Sequence, residues 1–188
     1  MHDESDTSEQ VDPIDLPESH LDGLGARFLA GVELYRRGDI DHAADAFRDV
    51  LAAEPRLAEP RLELARIYLD SGRLDEAEAQ AREGLRILEA GGLWLEALEE
   101  NVVLGLAHGL LAEVLRQIAD TDEVIFGEPE RFHEITHEAR AHFAKAAATD
   151  PENQHAHYHA FFLNLELPDS EPGDSDADTS SEPGAGTS

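Results

Sequence analysis

Residues 31–55 read GVELYRRGDIDHAADAFRDVLAAEP, and residues 65–89 read ARIYLDSGRLDEAEAQAREGLRILE. Laid over each other, the two stretches repeat at a spacing of 34: Gly38 and Gly72, Ala43 and Ala77, Leu51 and Leu85. Each holds an apolar stretch of helical period, a Gly-Asp or Gly-Arg turn, and a second, Ala-rich helical stretch. A fixed period of this length marks a repeat array in which every unit is one supersecondary element. Helical spacing on both sides of the turn makes that element a helical hairpin. Asp39 and Asp41 flank the first turn, and Asp75 stands at the corresponding place in the second. A short side-chain oxygen there predicts an N-cap for the helix that follows. No strand-like alternation competes with the helical period.

The pattern continues irregularly. Residues 93–119, LWLEALEENVVLGLAHGLLAEVLRQIA, read as one long apolar helix, apolar on more than one side and so expected between neighbours. A loop, DTDEVIFGE (120–128), follows as an insertion, with Val124, Ile125 and Phe126 set among acids. Three adjacent apolar residues on a loop are expected to tuck under the solenoid; the alternative is a second partner surface. Pro129 suits the first position of a helix. That helix carries Ala139, Phe143, Ala146 and Pro151, spaced like Ala43, Phe47, Val50 and Pro55. Tyr158, Phe161, Phe162 and Leu165 form an i, i+3, i+4, i+7 stripe, which predicts a capping helix over 152–165. The units are thus 24–57, 58–91 and 92–151, plus the cap.

Charge separates this centre from the ends. The 188 residues hold 42 acids and 14 bases, a formal charge of −28. Residues 1–23 carry 8 acids and residues 166–188 carry 7, neither with a base, which leaves 27 acids against 14 bases in 24–165. Both ends are rich in Ser, Asp, Pro and Gly, too polar to offset chain entropy, and are expected to be disordered acidic tails. A chain this negative argues against nucleic acid or an anionic membrane surface as a partner. The absence of Cys removes disulfides, thiol nucleophiles and thiolate metal sites. No apolar run is read as long enough to cross a membrane, and MHDESDTSEQ lacks the basic start and apolar stretch of a secretory signal. A cytoplasmic location is expected.

The 34-residue pattern resembles the tetratricopeptide repeat family. Gly31 and Ala65 stand at its small first-helix position, Gly38 and Gly72 at its turn, and Ala43 and Ala77 early in its second helix. Tyr68, Phe47 and Pro55 match its aromatic and closing positions. Leu34, Ala81 and Glu89 depart from them, and Gly91-Gly92 ends the second unit instead. The resemblance covers about 24–165. It implies an all-α solenoid of hairpins, with the first helices lining a concave groove that binds a peptide or helix of another protein. Carried onto this chain, the groove positions are Phe28, Val32, Tyr35 and Arg36 in the first unit, and Leu62, Arg66 and Leu69 in the second. Members that grip the terminal carboxylate of a chaperone tail use a Lys/Asn/Arg cluster. The groove positions here hold no Lys and no Asn, so an internal, partly apolar segment is the expected ligand.

One stretch carries an enzyme signal. Residues 133–137 read HEITH, the H-E-x-x-H pattern in which His133 and His137 would ligate zinc and Glu134 would activate water. Its flanks are charged, with Glu130, Arg131, Glu138 and Arg140. On a helical wheel Phe132, Ala139 and Phe143 form the buried stripe, which turns both His towards solvent. No third ligand stands at a family spacing, and His155, His157 and His159 do not all share one helical face. No metal or cofactor is expected. An adaptor or assembly scaffold that binds a protein and is not an enzyme is the expectation. The alternatives are a zinc-dependent hydrolase, and a self-associating structural protein using the long helix and Trp94.

Overall fold

The structure, a computed structural model, describes residues 18–92, 95, 99–150, 152, 155–156 and 159–160. It is all-α. The helices in chain order are α1 (Glu18–Arg36), α2 (Ile40–Ala53), α3 (Glu59–Asp70), α4 (Leu74–Glu89), α5 (Glu100–Ala119), α6 (Asp122–Gly127) and α7 (Pro129–Thr149). Helices α1 and α2 pair, as do α3 and α4, and α5 packs most extensively on α7. Helix α3 also touches α2 and α5, so each hairpin stacks on the next.

The turns show why the repeat reads as it does. Asp39 N–H donates to Leu34 at 3.0 Å and Gly38 N–H to Tyr35 at 2.9 Å; Arg73 N–H donates to Tyr68 at 2.8 Å and Gly72 N–H to Leu69 at 3.0 Å. These paired bonds satisfy carbonyls at the end of the first helix and need a left-handed residue between helices. Gly38 and Gly72 supply it, at φ 82° and 71°. A Cβ in that region is strained, so Gly72→Ala is expected to lower stability by about 1–2 kcal/mol. Urea unfolding checks this; an unchanged midpoint contradicts it.

The caps differ from expectation. Asp39 is the N-cap residue of α2, yet its side chain makes no cap bond. Its carboxylate instead meets His42 Nδ1 at 2.7 Å. Arg73, not Asp75, holds the N-cap position of α4, and Asp75 lies in the first turn, where its charge favours the helix dipole. Pro129 opens α7 as expected.

Two apolar cores run through the stack. One joins Phe28, Ala43, Phe47 and Val50 to Leu57, Leu64, Ile67 and Tyr68, and extends to Val114, Ile118 and Val124. The other joins Leu62, Ala81 and Leu85 to Leu111, Leu115, Ala139 and Phe143. Helices α3 and α5 contribute to both, and that sharing makes one body of the hairpins. Phe47 and Phe143, at equivalent repeat positions, are each fully buried. Outside, Arg82 of α4 forks onto Glu138 of α7 at 2.6 and 2.9 Å.

Several expectations are corrected. Residues 18–23, read as part of the N-terminal tail, belong to α1; residues 1–17 and 166–188 lie outside the described residues. The long helix read over 93–119 begins at Glu100, with Leu95 and Glu99 outside any helix. Among the described residues α5 is the helix long and apolar enough to cross a membrane, with a mean hydropathy of 1.4, against the reading of no such run. Of its apolar stretch 56% is buried within the fold, so packing accounts for much of its apolar character. The insertion is not all loop, since α6 occupies Asp122–Gly127. Only Val124 tucks inward; Ile125 is exposed and Phe126 is 81% exposed. Trp94, Pro151, His157, Tyr158, Phe161, Phe162 and Leu165 lie outside the described residues, and 155–156 and 159–160 are helical.

Candidate functional site

The helices α1, α3 and α5 together wall a cleft of about 240 Å³. Helix α1 contributes Phe28, Leu29 and Val32. Helix α5 contributes Val103, Leu106 and Leu110 from across the cleft. The wall from α3 is mixed, with Leu62 beside Glu59, Glu63 and Arg66. Phe28 and Leu62 are buried at its base, whereas Leu29 is 59% and Leu106 50% exposed at its rim. Large aliphatic side chains left this open around a concave floor are what a partner surface needs.

The polar groups of the cleft are carboxylates more than bases. Glu59 accepts the Leu95 N–H at 2.5 Å through Oε1, while its buried Oε2 has no hydrogen-bond partner among the described residues. Glu63 lies 3.6 Å from Arg66, a loose ion pair. Burial raises the Glu59 and Glu63 carboxyls above the usual range, against smaller lowering by the Leu95 N–H and Arg66 respectively.

Four of the seven groove positions read from the sequence come together here: Phe28, Val32, Leu62 and Arg66. Tyr35, Arg36 and Leu69 do not line the cleft. The Tyr35 hydroxyl donates to Asp70, fastening α1 to the end of α3. Burial first, and then Asp70, push its phenol up to about 12. Leu69 is turned into the first core. Arg36 is exposed and lies 3.5 Å from Glu33 on its own helix. Leu29, Glu59, Glu63, Val103, Leu106 and Leu110 were missed. Leu106 and Leu110 stand in the apolar run that was expected between neighbours; Leu106 is exposed and Leu110 half-buried.

The HEITH stretch lies on α7 with His133, Glu134 and His137 all exposed. Among the described residues no further Asp, Glu or His brings a ligand atom to His133 and His137; the one convergent group is Glu113, His155 and His159, within 4.8 Å of one another. Two His of the alternating set thus meet, with ring centroids 4.5 Å apart. Glu113, however, already accepts from the Arg116 guanidinium at 2.6 and 3.0 Å and from Gln117 at 3.2 Å. A fixed cation occupies the carboxylate a metal would need. A second His pair joins α5 and α7, with His108 buried, His142 half-buried and their Nδ1 atoms 2.9 Å apart.

The tetratricopeptide repeat model matches residues 34–88. No protein of curated function matches the chain in sequence. Among solved structures the chain is similar to the TPR domain of Arabidopsis OM64, with a TM-score of 0.58 and 13% identity, over 79% of this chain and 99% of that one. It is similar also to the first TPR of Spaghetti (RPAP3) bound to the HSP90 peptide SRMEEVD, with a TM-score of 0.57 and 13% identity, over 82% of this chain and 98% of that one. Identity this low speaks for the fold and for nothing finer. The repeat model rests on the stretch where the 34-residue period is written, and the helical fold around it is similar to that of solved TPR domains, so residues 34–88 are tetratricopeptide repeat sequence within a TPR-like all-α fold.

Proposed function

We propose that this protein is an interaction module that holds a segment of another protein in the cleft between α1, α3 and α5, as an adaptor or assembly scaffold and without catalysis. The observation that carries the reading is the open apolar lining, in which Leu29 of α1 and Leu106 of α5 are both exposed while Phe28 and Leu62 are buried. Exposed apolar side chains gathered on a cleft are the kind of surface that marks an interaction site. The fold supports it, since one of the similar structures holds a bound peptide. The hydrolase alternative gains nothing from α7: its three motif residues are solvated, and no third ligand joins them among the described residues.

A photo-crosslinking residue placed at position 106, with position 126 as the comparison, tests this. In native lysate of the source cell a discrete polypeptide is expected to crosslink from 106 and not from 126. Crosslinks from 126 alone, or none from 106, would overturn the cleft as the binding site. Phe126 on α6 would then be the surface to pursue.

A further inference from the structure

We infer that the occupant of the cleft is a basic amphipathic α-helix of a partner protein, with an apolar stripe flanked by Lys or Arg. The inference rests on the reading above and adds the conformation and charge of the ligand.

Conformation follows from what the cleft lacks. All three walls are helices, whose backbone groups are bonded internally, so no strand edge is offered for main-chain pairing. Among the described residues the lining contains no Asn, Gln, Ser, Thr, Tyr or Trp. An extended peptide laid along it would bury backbone N–H and C=O groups with almost nothing to meet them, and each unmet group disfavours that pose. A helix satisfies its own backbone and needs only an apolar stripe for Leu29, Leu106 and Leu110.

Charge follows from what the cleft holds. Among the described residues Glu59, Glu63 and Arg66 are the charged groups of the lining, and one carboxylate oxygen of Glu59 has no hydrogen-bond partner there. A Lys or Arg beside the stripe completes these groups, while an acidic peptide meets like charge. The surrounding field has the same sign, since the chain carries −28, and steers cations to the cleft. The same facts argue against the ends of this chain, or a second copy, as the occupant. Residues 1–17 and 161–188 contain no Lys or Arg, and a second copy brings its own −28.

The test uses the full chain and three labelled synthetic 18-residue peptides, read by fluorescence anisotropy. The first is a helix with a Leu stripe and Lys/Arg flanks, the second has Glu in place of every Lys and Arg, and the third is the first one scrambled to abolish the stripe. The basic helix is expected to bind at least about tenfold more tightly than either twin, and to weaken as salt rises. Leu106→Gln, at an exposed position, is expected to weaken it about tenfold. Glu63→Gln is expected to narrow the preference for the basic over the acidic twin, with the urea midpoint confirming that the variant folds. An acidic twin that binds as well as the basic one, and is weakened by Leu106→Gln, overturns the charge inference and leaves the cleft reading standing. A scrambled peptide that binds equally well shows attraction to the acidic surface at large and overturns the inference. So does a failure of all three to bind, in which case crosslinking from position 106 still decides the cleft reading independently.

Discussion

Phe47→Ala is expected to lower the unfolding free energy by about 3–5 kcal/mol, read as a shift of the urea midpoint at unchanged slope. Phe47 is fully buried. Its ring lies 5.6 Å from that of Phe28, and it presses so closely on α1 that a Cβ on Gly31 would fall 2.8 Å from its Cε1. Truncation removes the ring's transfer energy and leaves a cavity between two helices that the turn at Gly38 holds in place. In a repeat array each unit leans on its neighbour, so the loss is concentrated at the first hairpin. Helix α1 supplies Phe28, Leu29 and Val32 to the cleft, and the same substitution is therefore expected to weaken ligand binding. Phe126→Ala, at a solvated position, is the control and should stay within about 0.5 kcal/mol of the parent. Equal midpoints for the two variants would contradict the packing described for the first hairpin.

The second large effect is on pH dependence. His108 is 4% exposed, and burial first, then His142 and Lys145, push its imidazole down to about 4. His142 is lowered too, mainly by burial. The groups around the pair are Glu89 of α4, 4.0 Å from His108 Nε2, and Glu138 of α7, 3.8 Å from His142 Nε2, with Arg82 of α4 and Lys145 of α7 repelling a further positive charge. With their Nδ1 atoms facing, the rings share one hydrogen bond when neutral, and two protonated Nδ1 atoms would clash. A base whose folded value lies below its unfolded one contributes stability that is fully present above about pH 6.5 and is lost as pH falls towards about 4, because the unfolded chain takes up the proton first. For His108 the full loss is on the order of 3 kcal/mol. Other groups act over the same range with the opposite sign: the raised carboxyls of Glu59 and Glu63, and His42, whose imidazole Asp39 raises. The reading is therefore taken as a difference. His108→Gln keeps a hydrogen-bonding side chain and removes the titration. Its stability is expected to fall less than the parent's between pH 7 and pH 5, by about 2 kcal/mol. Parallel profiles would show that the pair does not report on pH.

Much of the scaffold is legible in the chain because its determinants are local. The 34-residue period places Gly38 and Gly72 where a left-handed backbone is required, and only a residue without a Cβ takes that conformation freely. Ala43, Phe47 and Val50, with Ala139, Phe143 and Ala146, lie on helical faces that bury in every such unit. Side-chain chemistry at helix ends was less legible. The Asp39 carboxylate has two partners within reach, the backbone of α2 and His42, and takes the imidazole. The extent of α5 was overread because residues 93–99 are apolar enough to continue a helical pattern, and composition alone does not say where a helix begins.

The cleft divides along the same line. Sequence by itself determined which helices come first in each unit, and so brought Phe28, Val32, Leu62 and Arg66 to one concave face. It also determined the acid excess, which is a property of composition and needs no coordinates. Tertiary structure alone decided that Leu106 is open while Leu111 and Leu115 of the same helix are buried, because solvent exposure depends on which neighbour covers each face. It decided that Tyr35 is spent on Asp70 and Leu69 on the core, and that Glu59 and Glu63 supply the acids of the cleft. It also set His108 against His142, 34 residues apart in the chain. Helical period is written residue by residue, whereas burial, pairing and charge balance at a site depend on how separate helices stack.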